Sequence, residues 1–314
     1  MLKLAAEKKL LSGTTIAIDS TMLEANAAMK SIERKDTGED WKEYLRRLAE
    51  EAGLENPTDE DLRRFDRKRT DKKVSNDDWQ SPSDEDSRIA KMKDGRTHLA
   101  YKAEHVVDLQ TDLVLAAVVY EAHRGDAETL AESVVQAQLN IIEADSPANI
   151  RDAATDKGYH SADTLALLNG PLGMRTYIPE PQRNTNWKWS ERPAEQQAAV
   201  LGNRRRVRGE RGKRLQRLRS EMTERSFAHV CETGGARRCW LRGLVKVTKR
   251  YLLQVAARNL SLIMRKLFGV GTPRGLQSER DVSSLVDLIQ ILLATLWTTF
   301  WRASNALRSP ATLP

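Results

Sequence analysis

Two aspartates, Asp19 and Asp156, are candidate metal ligands because each follows a short apolar run of the sequence. Asp19 follows the β-branched run in "TTIAIDST", and Asp156 follows the small apolar run in "RDAATDKGYHSADTL". We predict that each run is a strand that ends at its aspartate, since functional groups collect at the strand ends of open α/β sheets. On adjacent strands the two carboxylates could hold Mg²⁺, which takes oxygen ligands. The competing interpretation is that both are ordinary turn or cap residues.

A third acid would strengthen this site, and the basic helix "GKRLQRLRSEMTERSFAHV" contains Glu221 and Glu224. Helical periodicity does not choose between the two glutamates. Either can instead be a solvated acid in an i, i+4 ion pair, as Glu221 would be with Arg225.

Positive charge is concentrated beside these acids. Residues 203–225, "NRRRVRGERGKRLQRLRSEMTER", contain ten lysines or arginines against three glutamates, and the whole chain has a formal net charge of +7. Such a run favours contact with nucleic acid phosphates, and the alternative is a solvated helix. Trp187 and Trp189 lie just upstream, where they could stack on exposed bases or pack the loop.

The elements that would position these residues alternate between strands and helices. A hairpin, "HLAYKAEHVVDLQT" with "DLVLAAVVYEAH", turns at "LQTD", and a helix follows over 126–142. "GMRTYIPEP" is a further strand, and 194–267 is helical and basic. This order predicts a mixed α/β sheet covered by helices, and the charged block after the first strand is a mainly helical insertion.

Other patterns narrow the class of protein. Two cysteines without a secretory signal imply no disulfide framework, and the histidines have no metal-ligand spacing with them. The apolar segment 285–301 carries Asp287 and Gln290 and is shorter than the ~20 residues of a spanning helix. We therefore predict a buried or partner-facing helix there and no membrane anchor.

Three motifs, taken in order, resemble those of the DDE transposases of bacterial insertion sequences. They are "TIAIDST", "TDKGYHS" and "TERSFAHV", and the resemblance covers roughly 10–275. "ERSF" is similar to the E-x-x-F segment of that family, so the resemblance selects Glu224 over Glu221. "RIAKMKDGRTHLAYKAEHVVD" is similar to the strand region that follows the first aspartate of the family.

The resemblance implies an RNase H-like core at 14–275, with a mixed five-stranded sheet and an insertion at about 24–95. Asp19, Asp156 and Glu224 would be a catalytic triad that holds two Mg²⁺ ions, for which Mn²⁺ substitutes. The activity would be strand cleavage and strand transfer at insertion-sequence ends. The partners would be transposon-end and target DNA and further copies of the chain, in the bacterial cytoplasm at the nucleoid.

The residues expected to contact DNA come from the basic run, the loop before it and the turn after Asp156. They are Arg204, Arg205, Arg206, Arg208, Lys213, Arg214, Arg217, Arg219, Trp187, Trp189, Lys157, Tyr159 and His160. Tyr159 and His160 have an alternative role, as residues that support the carboxylates.

Some features depart from the family pattern. Cys231 stands where relatives often carry a lysine, and Arg151 and Asp152 lie in a strand expected to be apolar. Residues 1–13 resemble the last helix of an otherwise missing N-terminal region, and 276–314 form a partly helical tail. The alternative function is therefore a truncated, inactive DNA-binding remnant, or an inhibitor of a full-length transposase. An RNase H-like host nuclease is a third hypothesis.

Overall fold

The computed structural model describes residues 1–70, 74–92, 94–182 and 193–269, together with 290 and 297. Two units are present, Met1–Leu260 and Ser261–Pro314, and the first contains the sheet and the predicted acids. The elements are α1 (Leu2–Glu7), β1 (Thr15–Glu24), β2 (Glu33–Arg34), α2 (Trp41–Glu51), α3 (Asp59–Lys68), β3 (Trp79–Gln80), β4 (Arg88–Lys91), β5 (Thr97–Asp108), β6 (Val114–Glu121), α4 (Asp126–Glu143), β7 (Asp152–Ala154), α5 (Ala162–Asn169), β8 (Arg175–Tyr177), α6 (Ala194–Arg208), α7 (Glu210–Phe227) and α8 (Leu244–Phe268).

The central sheet is mixed, as predicted. β1 pairs antiparallel with β5 on one edge and parallel with β7 on the other, and β8 continues the parallel side. The far edge of β5 is shared by β6 and the short β4, which makes six strands in all. Five of them follow the RNase H-like arrangement, and β4 is the addition.

The hairpin between β5 and β6 turns at the predicted "LQTD". Asp108 holds the turn, since its carboxylate accepts hydrogen bonds from the Gln110 N–H at 3.0 Å and the Thr111 hydroxyl at 2.8 Å. Asp112 adopts a left-handed backbone with a φ of 64°, a conformation that aspartate tolerates better than most residues.

The prediction that β1 ends at Asp19 is wrong. The strand continues to Glu24 because β5 stays paired with it as far as the Glu24–Ala100 partners. β7 pairs with β1 only from Thr15 to Ala17. Asp19 therefore lies inside β1, two residues after the last residue of β1 that pairs with β7.

The two faces of β1 pack against different helices. Ile16 and Ile18 share a buried cluster with Leu130 of α4 and Leu165 of α5. Ala17 packs with Leu215 of α7 on the opposite face. Because side chains alternate along a strand, Asp19 projects toward α7 and Ser20 toward α4.

The mainly helical block after the first strand is present. α2 and α3 each begin with a capping box, from Asp40 with Glu43 and from Thr58 with Asp61. Within the described part of the chain, no helix is long and apolar enough to cross a membrane. The apolar segment 285–301 lies outside the described residues except for 290 and 297.

The unexpected charge in the strand before Asp156 has a structural partner. Asp152 is only 2% exposed, and its carboxylate accepts hydrogen bonds from Arg175 at 2.7 Å and Arg211 at 2.8 Å. A buried carboxylate needs such partners to offset the loss of hydration. Arg211 of the basic run thus fastens α7 to β7.

Candidate active site

Asp19 and Asp156 are neighbours because of strand register. Ala17 and Ala154 are partners across the parallel β1–β7 pair, and each aspartate follows two residues later. Burial raises the pKa of Asp19 above its ordinary value, the nearby charge of Asp156 adds to this rise, and Arg219 opposes it. Two like charges at one sheet edge create the negative potential that a divalent cation neutralises.

A cationic side chain already contacts Asp19. The Arg219 guanidinium donates to the Asp19 carboxylate at 3.0 Å, and the Thr223 hydroxyl lies 3.2 Å from the same oxygen. The other oxygen accepts from the Ser20 N–H at 2.8 Å. Positions 219 and 223 are one turn apart on α7, so a single helix face meets Asp19.

Asp156 also caps a short turn, as the competing interpretation proposed. Its carboxylate accepts from the Gly158 N–H at 2.8 Å at the start of the 3-10 segment Lys157–Tyr159. A Cβ on Gly158 would stand 2.9 Å from an oxygen of Asp126 and 3.1 Å from one of Asp156. Both carboxylates therefore lie beside the glycine, and a side chain at position 158 would require them to shift.

Three charged residues beside the aspartate pair were missed by the sequence reasoning. Lys102 lies 2.8 Å from the Asp126 carboxylate and 3.9 Å from that of Glu104. The Ser20 hydroxyl donates to Asp126 at 3.0 Å, which links this group to β1. The sequence did contain a sign of this group. Lys102 and Glu104 lie two residues apart in an apolar strand, so both side chains point to the same buried face. Asp126 looked only like the start of a helix.

Glu104 is fully buried, and burial raises its pKa to about 7. The Thr129 hydroxyl donates to it at 2.7 Å. Tyr159 is also fully buried, and its pKa is raised by burial and by the charges of Glu104, Asp126 and Asp19. Of the two predicted roles of Tyr159, this position favours support of the carboxylates over contact with DNA.

Glu224 lies on α7, one residue after Thr223, so it points about 100° around the helix axis from the face that meets Asp19. It is exposed, whereas Glu221 pairs with Arg225 as the i, i+4 alternative predicted. Among the residues described, no three acids, histidines or cysteines are arranged to hold a metal ion. The structure brings Asp19 and Asp156 together, whereas Glu224 is exposed on α7 and points away from the helix face that meets Asp19.

The segment behind Glu224 is anchored by a buried histidine. His105 is the cross-strand partner of Asp19, contacts Ser226 at 2.9 Å and Tyr251 at 2.8 Å, and stacks on Phe227. Burial lowers the pKa of His105 to about 3, so the ring is neutral. Because the Ser226 hydroxyl donates to the Thr223 carbonyl, His105 Nδ1 carries the proton and donates to Ser226.

The helix changes pitch immediately after this anchor. Ala228–Thr233 form a π-helix that contains the buried Cys231, whose sulfur lies 3.9 Å from the Tyr251 hydroxyl. Single π-turns inside helices are frequent at functional sites. Cys231, which departs from the family pattern, is thus part of the packing behind Glu224.

The basic run divides into structural and exposed residues. Arg204 makes a two-pronged ion pair with Glu180 at 2.7 and 2.9 Å, and Arg206 binds the Thr176 carbonyl at 2.9 Å and the Asn169 amide. Among the described residues of the run, the exposed lysines and arginines that make no ion pair with a distant strand or turn are Arg205, Arg208, Lys213, Arg214 and Arg217, whereas the exposed Arg211 and Arg225 pair with Asp152 and Asp112.

The other predicted contacts are residues that follow Asp156 and two tryptophans that precede α6 in the sequence. Lys157 is exposed and His160 is half-buried. Trp187 and Trp189 lie outside the described residues.

The sheet order, with two aspartates side by side just beyond the parallel pairing of β1 and β7, defines an RNase H-like α/β protein with an acidic site. The family model of the transposase DDE domain matches residues 12–260, and the chain belongs to that family. Its function class is therefore that of a transposase, a polynucleotidyl transferase that acts on DNA. Neither a curated protein nor a solved structure matches the chain.

Proposed function

We propose that the chain catalyses metal-dependent DNA strand cleavage and strand transfer at insertion-sequence ends, with Asp19, Asp156 and Glu224 as catalytic residues. The observation that carries the proposal is the register of β1 and β7, which sets Asp19 beside Asp156 at one sheet edge. Transposon ends and target DNA are the proposed substrates. Further copies of the chain on that DNA, in the bacterial cytoplasm at the nucleoid, belong to the same proposal.

The residues at this edge suit Mg²⁺ or Mn²⁺. Their donors are carboxylate oxygens, which hard cations prefer, and the Arg219 guanidinium shows that Asp19 already attracts a positive group. Asp19, Asp156 and Glu224 would hold the metal. When bound, two divalent ions activate an attacking hydroxyl and stabilise the leaving oxygen of a phosphodiester.

The protein groups around the acids have separate tasks in this proposal. Lys102 and Ser20 hold Asp126 against Gly158 and so keep the turn after Asp156 in place. Exposed Arg214 and Arg217 lie on α7, with Arg217 two turns before Glu224 and on the same helix face. Phosphates bound there would bring the scissile strand to the carboxylates.

The test is cleavage by D156N of a plasmid that carries the coding region of the chain with its genomic flanks. We expect cleavage in Mn²⁺ to fall by more than about 100-fold, the upper end of the loss caused by altering a residue that only supports a metal ligand. Binding of labelled DNA, measured by fluorescence anisotropy, should change little. Equal loss of binding and cleavage would contradict the assigned role.

A non-catalytic DNA-binding protein is the second candidate. It is favoured by one observation: Glu224 does not join Asp19 and Asp156 in the described structure. The same experiment separates the two functions, because a non-catalytic chain binds DNA but gives no product with either wild type or D156N.

A further inference from the structure

An open cavity of about 500 Å³ lies at the far end of β1 from the parallel strands. It is bordered by residues 24–30, by the start of β5 at 97–99, and by Arg238 and Arg242 of the loop 234–243. We call this cavity, together with Trp240 between Arg238 and Arg242 in the same loop, the basic groove. It is separate from the carboxylates and contains none of the residues assigned to them.

The loop that borders the basic groove is fastened to the strand that carries Asp19. The Glu24 N–H donates to the Arg237 carbonyl at 2.9 Å, and the Cys239 N–H donates to the Glu24 carbonyl at 2.7 Å. The Asn26 amide donates to the Trp240 carbonyl at 2.9 Å. The position of the groove relative to Asp19 is therefore set by one continuous strand.

The loop that carries Arg238 and Arg242 also carries an exposed tryptophan, Trp240, between them. The Trp240 residue is 70% exposed, although its backbone is held by the bond to Asn26. The Arg250 guanidinium lies 5.8 Å from the ring centroid. An exposed tryptophan beside a cation is suited to stacking on a flat, electron-rich ring.

The charge of the groove selects an anionic partner. Lys30, Arg238 and Arg242 line it, and the side chain of Arg238 is 72% exposed. Glu24 is the one acid among the lining residues, and it lies 3.6 Å from Arg238. With Arg250 beside the ring, positive charges outnumber negative ones by three.

We propose that the basic groove binds unpaired nucleotides of the DNA substrate, with Trp240 stacked on a base and Lys30, Arg238 and Arg242 at the phosphates. This inference rests on the proposed function only in taking DNA as the substrate. Paired bases are stacked within a duplex and present no free face to the ring, which is why an unpaired segment fits. An acidic protein segment would meet the charges but would leave the ring unused.

The strand also gives the distance between the two sites. Asp19 and Glu24 are five residues apart on β1, which corresponds to about 17 Å at ~3.3 Å per residue. Along the axis of a duplex, the phosphates of one DNA strand are spaced by ~3.4 Å. A DNA whose axis runs along β1 would therefore place the stacked base about five nucleotides from the cleaved bond.

The experiment compares the wild-type chain with W240A on two labelled DNAs, one fully paired and one with an unpaired segment. Binding is measured by fluorescence anisotropy in EDTA, so that it does not depend on cleavage. Loss of one stacked base should weaken binding to the unpaired segment by about 5- to 150-fold, with little effect on the duplex. W240F should retain most of the affinity.

L253A is the matched control, because Leu253 is 72% exposed on α8 and lies outside the groove. R238Q should reduce the slope of log K against log salt by about one, because it removes one phosphate contact. Equal binding by W240A and wild type, or an equal loss on both DNAs, would overturn the proposal. The proposal would also be overturned if polyglutamate displaced the unpaired DNA as readily as an unlabelled single strand does. If D156N cleaves like wild type, the proposed catalytic role fails while this binding result stands.

Discussion

The guanidinium of Arg219 lies 3.0 Å from the carboxylate of Asp19, so a side chain of α7 already neutralises the first acid of the candidate site. The pair is mostly shielded, with Arg219 14% and Asp19 25% exposed. A divalent ion bound by Asp19 would compete with this guanidinium for the same oxygen. Arg219, predicted from its charge to contact DNA, would thus also set how readily Asp19 accepts a metal in the proposed function.

Replacement of Arg219 by glutamine should make metal binding easier. Removal of a competing ion pair of about 1 kcal/mol would lower the Mn²⁺ concentration for half-maximal cleavage roughly fivefold. The measurement is a Mn²⁺ titration of cleavage at a pH well above the pKa of Asp19. R217Q, which removes an exposed arginine of the same helix, should leave the midpoint unchanged. An unaltered midpoint in R219Q would show that the two cations do not compete.

The two glutamates of α7 offer a matched pair of variants. E224Q should reduce cleavage by more than about 100-fold, because it removes a proposed metal ligand. E221Q should stay within about twofold of wild type, since Glu221 makes an exposed ion pair with Arg225. Cleavage rates in Mg²⁺ with saturating DNA provide the comparison. The reverse ranking would assign the third carboxylate to Glu221.

Exposed arginines of α7 should account for part of the salt dependence of DNA binding. R214Q/R217Q should weaken binding to all sequences alike and reduce the slope of log K against log salt by about two. R206Q is the structural control. Because Arg206 bonds the Thr176 carbonyl and Asn169, its loss should lower the unfolding free energy by about 1–3 kcal/mol. A double variant with the wild-type slope would exclude these arginines from phosphate contact.

The contrast between these arginines shows what a sequence can reveal here. The density of charge in 203–225 is visible in the sequence, but the partners of Arg204 and Arg206 lie 24 to 37 residues away. Arg211 likewise meets Asp152 across 59 residues. A charge run therefore predicts a basic surface, and only the fold separates its exposed members from those that hold helices to strands.

Strand boundaries likewise divide into those that local sequence determines and those that distant residues determine. The hairpin turn at "LQTD" depends on local chemistry and was predicted correctly. The end of β1 depends on pairing with β5, whose partner for Glu24 is Ala100, 76 residues later. The pair of aspartates was foreseen as strand-end acids. Lys102, Glu104 and Asp126 were missed because the contact of Lys102 with Asp126 joins β5 to α4.

Glu104 should make the stability of the protein fall as the pH rises. Its pKa is about 7 in the folded chain and about 4.3 when unfolded. Between these values the folded state binds the extra proton, so the stabilisation is complete below about pH 4 and is lost as the pH rises through 7. E104Q keeps the shape of the protonated acid and removes the titration. Relative to wild type, E104Q should gain about 3 kcal/mol of unfolding free energy between pH 4 and pH 8.

Urea unfolding of both proteins at several pH values in this window measures the difference. E50Q is the control, because Glu50 is an exposed residue of α2, and its difference from wild type should not change with pH. A constant difference between E104Q and wild type would mean that Glu104 stays ionised beside Lys102. Glu104 and Lys102 would then form a buried salt bridge throughout this pH range. Glu104 and Asp126 would compete for the same ammonium group.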